Sequence, residues 1–106
     1  MKVSRLEAFT RGWFIGAFSP TLGATEAVEV GVRRYQAGDR ESAHYHRVAT
    51  EHTVVVEGSA RMRDRILVAG DIVTLDPGEI ADFEALTAVT TVVVKLPGAR
   101  NDKYPA

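Results

Sequence analysis

Turns interrupt this chain at short, regular intervals. Turn signals, among them Gly38-Asp39, Gly58-Ser59, Gly70-Asp71 and Asp76-Pro77-Gly78-Glu79, recur roughly every 8 to 12 residues along most of its length. Between them lie runs rich in β-branched residues: AVEVGVRRY (27–35), HTVVVEG (52–58), RILVAGD (65–71), IVTL (72–75) and VTTVVVKLP (89–97). GWFIGAF (12–18), closed by Ser19-Pro20, together with ARMR (60–63) and ADFEAL (81–86), brings the strand-like segments to about eight. No segment carries the 3.6-residue apolar spacing of an amphipathic helix, and SRLEAF (4–9) has room for one helical turn. Pieces this short cannot bury an apolar stripe as helices. They can do so as strands that alternate inward and outward, so the pattern predicts an all-β sandwich or barrel.

Residues 27–35 show that alternation directly. Val28, Val30 and Val32 share one face, and Glu29, Gly31 and Arg33 the other. A chain of 106 residues makes one domain. We place its barrel at about 12–97, after an N-terminal arm (1–11) and before a loose polar tail (98–106). The net charge of −1 offers no global attraction to nucleic acid or anionic membranes. With no cysteine, disulfides and thiolate chemistry are excluded, and a metal would have to be held by His, Asp, Glu or carbonyl oxygen. No apolar run approaches the roughly 18 residues of a membrane span, and the start lacks a signal-peptide core, so a cytoplasmic location is expected.

All three histidines fall between residues 44 and 52. His44 and His46 stand at i and i+2, on one face of a strand, with Cα atoms roughly 6–7 Å apart. Two imidazoles at that spacing can lean toward one ion, and Glu51, opening the next strand, can reach the same point if the strands are neighbours. Two histidines and a carboxylate suit catalytic zinc or a ferrous facial triad. The pair is equally compatible with strand-face packing. His52, beside Glu51 in a strand, points away from it and is read as outward or as a supporting group.

The spacing separates these readings. From Gly38 the chain runs five residues to His44, one to His46, four to Glu51 and six to Gly58. This resembles the first cupin motif, G(x)5HxH(x)3–4E(x)6G, at every fixed position. The second motif, G(x)5PxG(x)2H(x)3N, is met in part: Gly70 and Gly78 align, Asp76 stands at the proline position with Pro77 one place later, Ala81 stands at the histidine position, and the asparagine is missing. The resemblance spans about residues 27–96. It implies a double-stranded β-helix, the RmlC-like jelly roll, commonly a homodimer binding a small molecule in the barrel. It also implies His44, His46 and Glu51 as ligands of a divalent ion (zinc, iron, nickel or manganese). Without the fourth ligand at Ala81, the site is three-ligand unless a bulge turns Asp82 inward.

Other residues carry two readings each. Arg33 or Arg34 enters the barrel mouth to hold an anionic group, or is an ordinary exposed strand charge. Trp13, Phe14 and Phe18 serve the core, a dimer contact or a ligand wall. Lys95 is expected to snorkel from an edge strand, and RMRDR (61–65) to be a solvated hairpin. A general base would have to come from Tyr35, Glu79 or Asp82. The expected function is a metal-binding cupin of unassigned substrate, possessing isomerase, lyase or dioxygenase chemistry or else binding a small ligand without turnover.

Overall fold

A computed structural model describes all 106 residues. Its strands are β1 (Trp13–Ile15), β2 (Glu29–Tyr35), β3 (Arg40–Tyr45), β4 (Thr50–Glu57), β5 (Ser59–Met62), β6 (Arg65–Val68), β7 (Ile72–Leu75), β8 (Ala81–Ala85), β9 (Val89–Leu96) and β10 (Tyr104–Pro105). They form two antiparallel five-stranded sheets, ordered β1-β2-β9-β4-β7 and β10-β3-β8-β5-β6. The arrangement is the double-stranded β-helix. The segment 4–9 contributes one 3-10 turn, Leu6–Ala8, and no helix is long and apolar enough to cross a membrane.

The turns lie where their residues demand them. Gly58 joins β4 to β5 with φ at 85°, and a Cβ there would stand 2.0 Å from the Ala88 carbonyl oxygen, so only glycine fits. Asp76-Pro77-Gly78-Glu79 closes after β7, with Glu79 N donating to Asp76 O at 3.0 Å. The turn then docks on the histidine segment, as Gly78 N donates to the His46 carbonyl at 2.7 Å. The RMRDR segment makes the β5–β6 hairpin, with Met62 opposite Arg65.

The interior divides along the strands. Val55, Ala60, Leu67, Phe83, Ala85 and Val89 form the buried apolar core, drawn from the end of β4, β5, β6, the end of β8 and the start of β9. Because β4 and β9 are antiparallel, the opposite ends of the same strands, Glu51 and Thr53 on one and Val93 and Lys95 on the other, line a cavity. The domain is thus apolar at one end and polar at the other.

Two expectations change here. β9 pairs with β2 on one side and β4 on the other, so it is the middle strand of its sheet. Lys95 therefore cannot snorkel from an edge, and VVVKL leaves no edge for a partner to cover. The tail is not loose either. Tyr104 pairs with Tyr45 and Pro105 with His44, so the end of the chain extends the second sheet beside the histidines.

Candidate functional site

The cavity opens between the two sheets at their polar end. It offers about 70 Å³ to water-sized groups. On that measure one ordered water takes about 10–15 Å³, so the space suits a small molecule of few heavy atoms. His44, His46 and Glu51 all line it, as does Ala81.

His44 stands on β3 and His46 just past its end. Ala81 of β8 is the Cα partner of His44, while Glu41 pairs with Phe83, so the register slips by one residue between Glu41 and His44. This β-bulge overrides strict alternation. Glu41 and His44 differ in parity, yet both line the cavity. Sequence alternation alone therefore missed Glu41.

Each histidine is anchored through Nδ1. His44 Nδ1 lies 3.0 Å from the Ser42 carbonyl oxygen, and His46 Nδ1 makes a short hydrogen bond to the Asp102 carbonyl. A carbonyl only accepts, so Nδ1–H is the donor in both rings and Nε2 is left for other contacts. His46 Nε2 is 2.8 Å from Glu51 Oε2, and the two imidazoles meet edge-on with centroids 5.5 Å apart. The Glu51 hydrogen bond raises the His46 pKa against the opposing effect of burial. Burial alone would raise Glu51 as well, but the His46 hydrogen bond and the charges of Lys95, His46 and His44 outweigh it and hold the carboxyl below its usual range. The two side chains are coupled through this hydrogen bond, each favouring the charged form of the other.

Asp102 is the residue that the sequence did not reveal. It is 7% exposed. Its Oδ1 accepts from Arg47 N at 2.8 Å and its Oδ2 from Ala49 N at 2.9 Å, with Val48 N at 3.1 Å from Oδ2. Burial opposes its charge, and these backbone donors outweigh burial and lower its pKa. The carboxylate ties down the loop after His46 while its own carbonyl aims the ring. The bond spans 56 residues, and no local pattern announces it. Tyr104 completes the clasp, stacked on Tyr45 with Arg47 4.0 Å above its ring.

The other candidates separate clearly. Tyr35 lies in the cavity against Phe83 and donates its hydroxyl to Glu41 Oε1 at 3.0 Å. Burial first, then the Glu41 charge, push its pKa far up, so the phenol keeps its proton and acts as a donor. Glu79 sits outside: its Oε2 accepts from Asp76 N at 2.9 Å within its own turn. Asp82 borders the cavity, but β8 is regular there, and its neighbours Ala81 and Phe83 take the buried face. The Asp82 carboxylate turns outward to Arg61 Nη2 at 3.2 Å and Arg63 N at 2.8 Å. No bulge brings it inward, so Asp82 does not replace the missing fourth ligand. His52 is outward as expected, bonded to Thr74 Oγ1 at 2.8 Å.

Of the two arginines, Arg33 enters the cavity and Arg34 remains exposed near Glu7. Trp13 is a cavity wall: it pairs with Gly31, where a Cβ would stand 2.7 Å from the indole. The missing side chain lets the ring lie against the sheet. Thr91, 1% exposed, lines the floor, and its Oγ1 is the one buried side-chain polar atom without a hydrogen-bond partner. Leaving a buried hydroxyl unpaired costs about 1–3 kcal/mol.

The donor set fits a divalent ion in chemistry but is not converged on one. Anchoring through Nδ1 leaves Nε2 as the coordinating nitrogen, as metal-binding histidines require, although Glu51 engages that of His46 here. His44, His46 and Glu51 do not yet surround a common point, because Glu51 is drawn onto His46.

No protein-family model and no curated protein matches the sequence. Solved structures do match. An uncharacterized conserved protein with a double-stranded beta-helix domain from Klebsiella pneumoniae aligns with a TM-score of 0.69 and 20% identity, over 92% of this chain and 85% of that one. A sugar phosphate isomerase of the cupin superfamily from Silicibacter pomeroyi aligns at 0.62 and 24%, over 66% and 50%. Oxalate decarboxylase of Bacillus subtilis, a protein with Mn(II) centres, aligns at 0.66 and 19%, over 76% and 24%. This chain spans half and a quarter of the last two. The fold is that of the cupins.

Proposed function

We propose that this chain is a cupin that takes a small polar molecule into its barrel at a divalent ion held by His44, His46 and Glu51. The observation that carries the reading is the anchoring of both imidazoles by main-chain carbonyls, which turns their Nε2 atoms toward the cavity that Glu51 enters from the opposite sheet. The Mn(II) centres of the Bacillus subtilis oxalate decarboxylase support it by analogy of fold. When bound, zinc, iron, nickel or manganese would supply Lewis acidity to a carbonyl or water. The chain's own part is to orient the donors, hold Tyr35 as a proton donor, and leave space at Ala81 where a fourth ligand would stand. The test is metal content after reconstitution. About one ion per chain is expected, and none in a His44→Ala, His46→Ala double variant. Equal content in both removes the site.

A binding module without turnover is the second reading. It is favoured by the fate of the base candidates, with Tyr35 held protonated and Glu79 and Asp82 turned away. Incubating reconstituted protein with sugars and small carboxylic acids separates the two: product formation or oxygen uptake marks an enzyme, and saturable binding alone marks a module.

A further inference from the structure

We propose that the cavity recognises the carboxylate of a small organic acid, held between Arg33 and Lys95 beside Trp13. The inference rests on the reading of the barrel as a ligand pocket and names the class of ligand. Lys95 and Arg33 stand on neighbouring strands, β9 and β2, and both reach the same indole. Lys95 Nζ is 4.9 Å from the Trp13 ring centroid and Arg33 Cζ is 5.8 Å from it. Gly31 makes this possible by leaving room for the ring against the strand, where a Cβ would stand 2.7 Å from it.

The carboxylates around the cavity are mostly engaged by other partners, and its lysines are not. Glu51 is satisfied by His46 at 2.8 Å. Glu41 is shared between the Tyr35 hydroxyl at 3.0 Å and Arg33 Nη2 at 3.8 Å. Asp82 is neutralised by Arg61 on the outer face. Lys95 and Lys103 line the same cavity and neither is in a close ion pair, although Lys95 stands across the strand pair from Glu51 and its charge is felt there. A cation facing a confined space with no ion pair of its own attracts an anion there. Arg33 has donors beyond its long contact with Glu41, and a guanidinium matches a carboxylate in plane and spacing. The indole wall and the small volume favour a short acid over a phosphate ester. The unpartnered Thr91 Oγ1 offers a further hydrogen bond at the floor.

Trp13 is the single tryptophan of the chain, so its fluorescence reports on the site. Metal-stripped protein is titrated at low salt with malonate, malonamide and inorganic phosphate. Malonate should give a saturable change, malonamide none, and phosphate a response at least tenfold weaker. Lys95→Met, which keeps length and removes charge, should weaken malonate at least tenfold, and Arg33→Gln likewise, with both variants checked for folding by circular dichroism. No response to malonate, an equal response to malonamide, tighter binding of phosphate, or unchanged affinity in folded Lys95→Met overturns the proposal. The same titration in the His44→Ala, His46→Ala variant separates the two readings. Malonate binding that survives there while reconstitution fails sinks the metal site and leaves the carboxylate site standing.

Discussion

Asp102 shows how much one residue can govern at a distance. Its carboxylate receives the backbone N–H groups of residues 47–49, and its carbonyl receives His46. Asp102→Ala leaves those donors without their acceptor and should cost about 2–4 kcal/mol in urea unfolding. Asp102→Asn isolates the charge. Because the folded pKa lies below the ordinary value of 3.8, the carboxylate's stabilisation is full above that value and is lost as pH falls through the lower folded one. The gap in stability between the wild-type chain and Asp102→Asn should therefore be widest near neutrality and shrink in acid. A gap that widened in acid would contradict the assignment. Gly31 makes the complementary case by having no side chain. Gly31→Ala should push the indole off the sheet, shift Trp13 fluorescence to the red as water reaches it, and cost about 1–3 kcal/mol.

Among the elements, the strands were the most legible part. The runs at 72–75, 81–86 and 89–97 match β7, β8 and β9 within a residue, because β-branched residues framed by Gly and Pro turns leave little choice. What the runs could not convey is which strand neighbours which. A strand's sequence encodes which of its faces is apolar, whereas its place in the sheet depends on the other strands. Lys95 was read as an edge residue for that reason, and the bulge after Glu41 was invisible because Ser42 and Ala43 carry no signal for it. The tail is the element whose removal tells most. Deleting residues 101–106 takes away β10, the Asp102 clasp and the Tyr104–Tyr45 stack together. We expect the shortened chain to fold with a Tm lower by about 10 °C or more, and to bind metal more weakly because His46 loses its anchor. Calorimetry and metal titration on the truncated chain check both.

On the scale of the whole molecule, the outer face of the first sheet carries Val30, Val32, Val54, Val92 and Val94 in register across three strands, beside Ile72 at 63% exposure. We propose a homodimer that covers this face. Light scattering should report two copies, and Val92→Glu one; a wild-type monomer at micromolar concentration ends the idea. The remaining division of labour follows from range. Turn spacing, period-two alternation and the HxH…E pattern are local, and they determined an all-β chain with its histidines and glutamate brought together in one jelly roll. The His46–Glu51 contact, only five residues apart, belongs to that local record. The central place of β9, the inward turn of Glu41, the place of Lys95 in the cavity and the grip of Asp102 on His46 were decided only in the tertiary structure. Each depends on a partner strand or loop far along the chain, and no local preference carries that information.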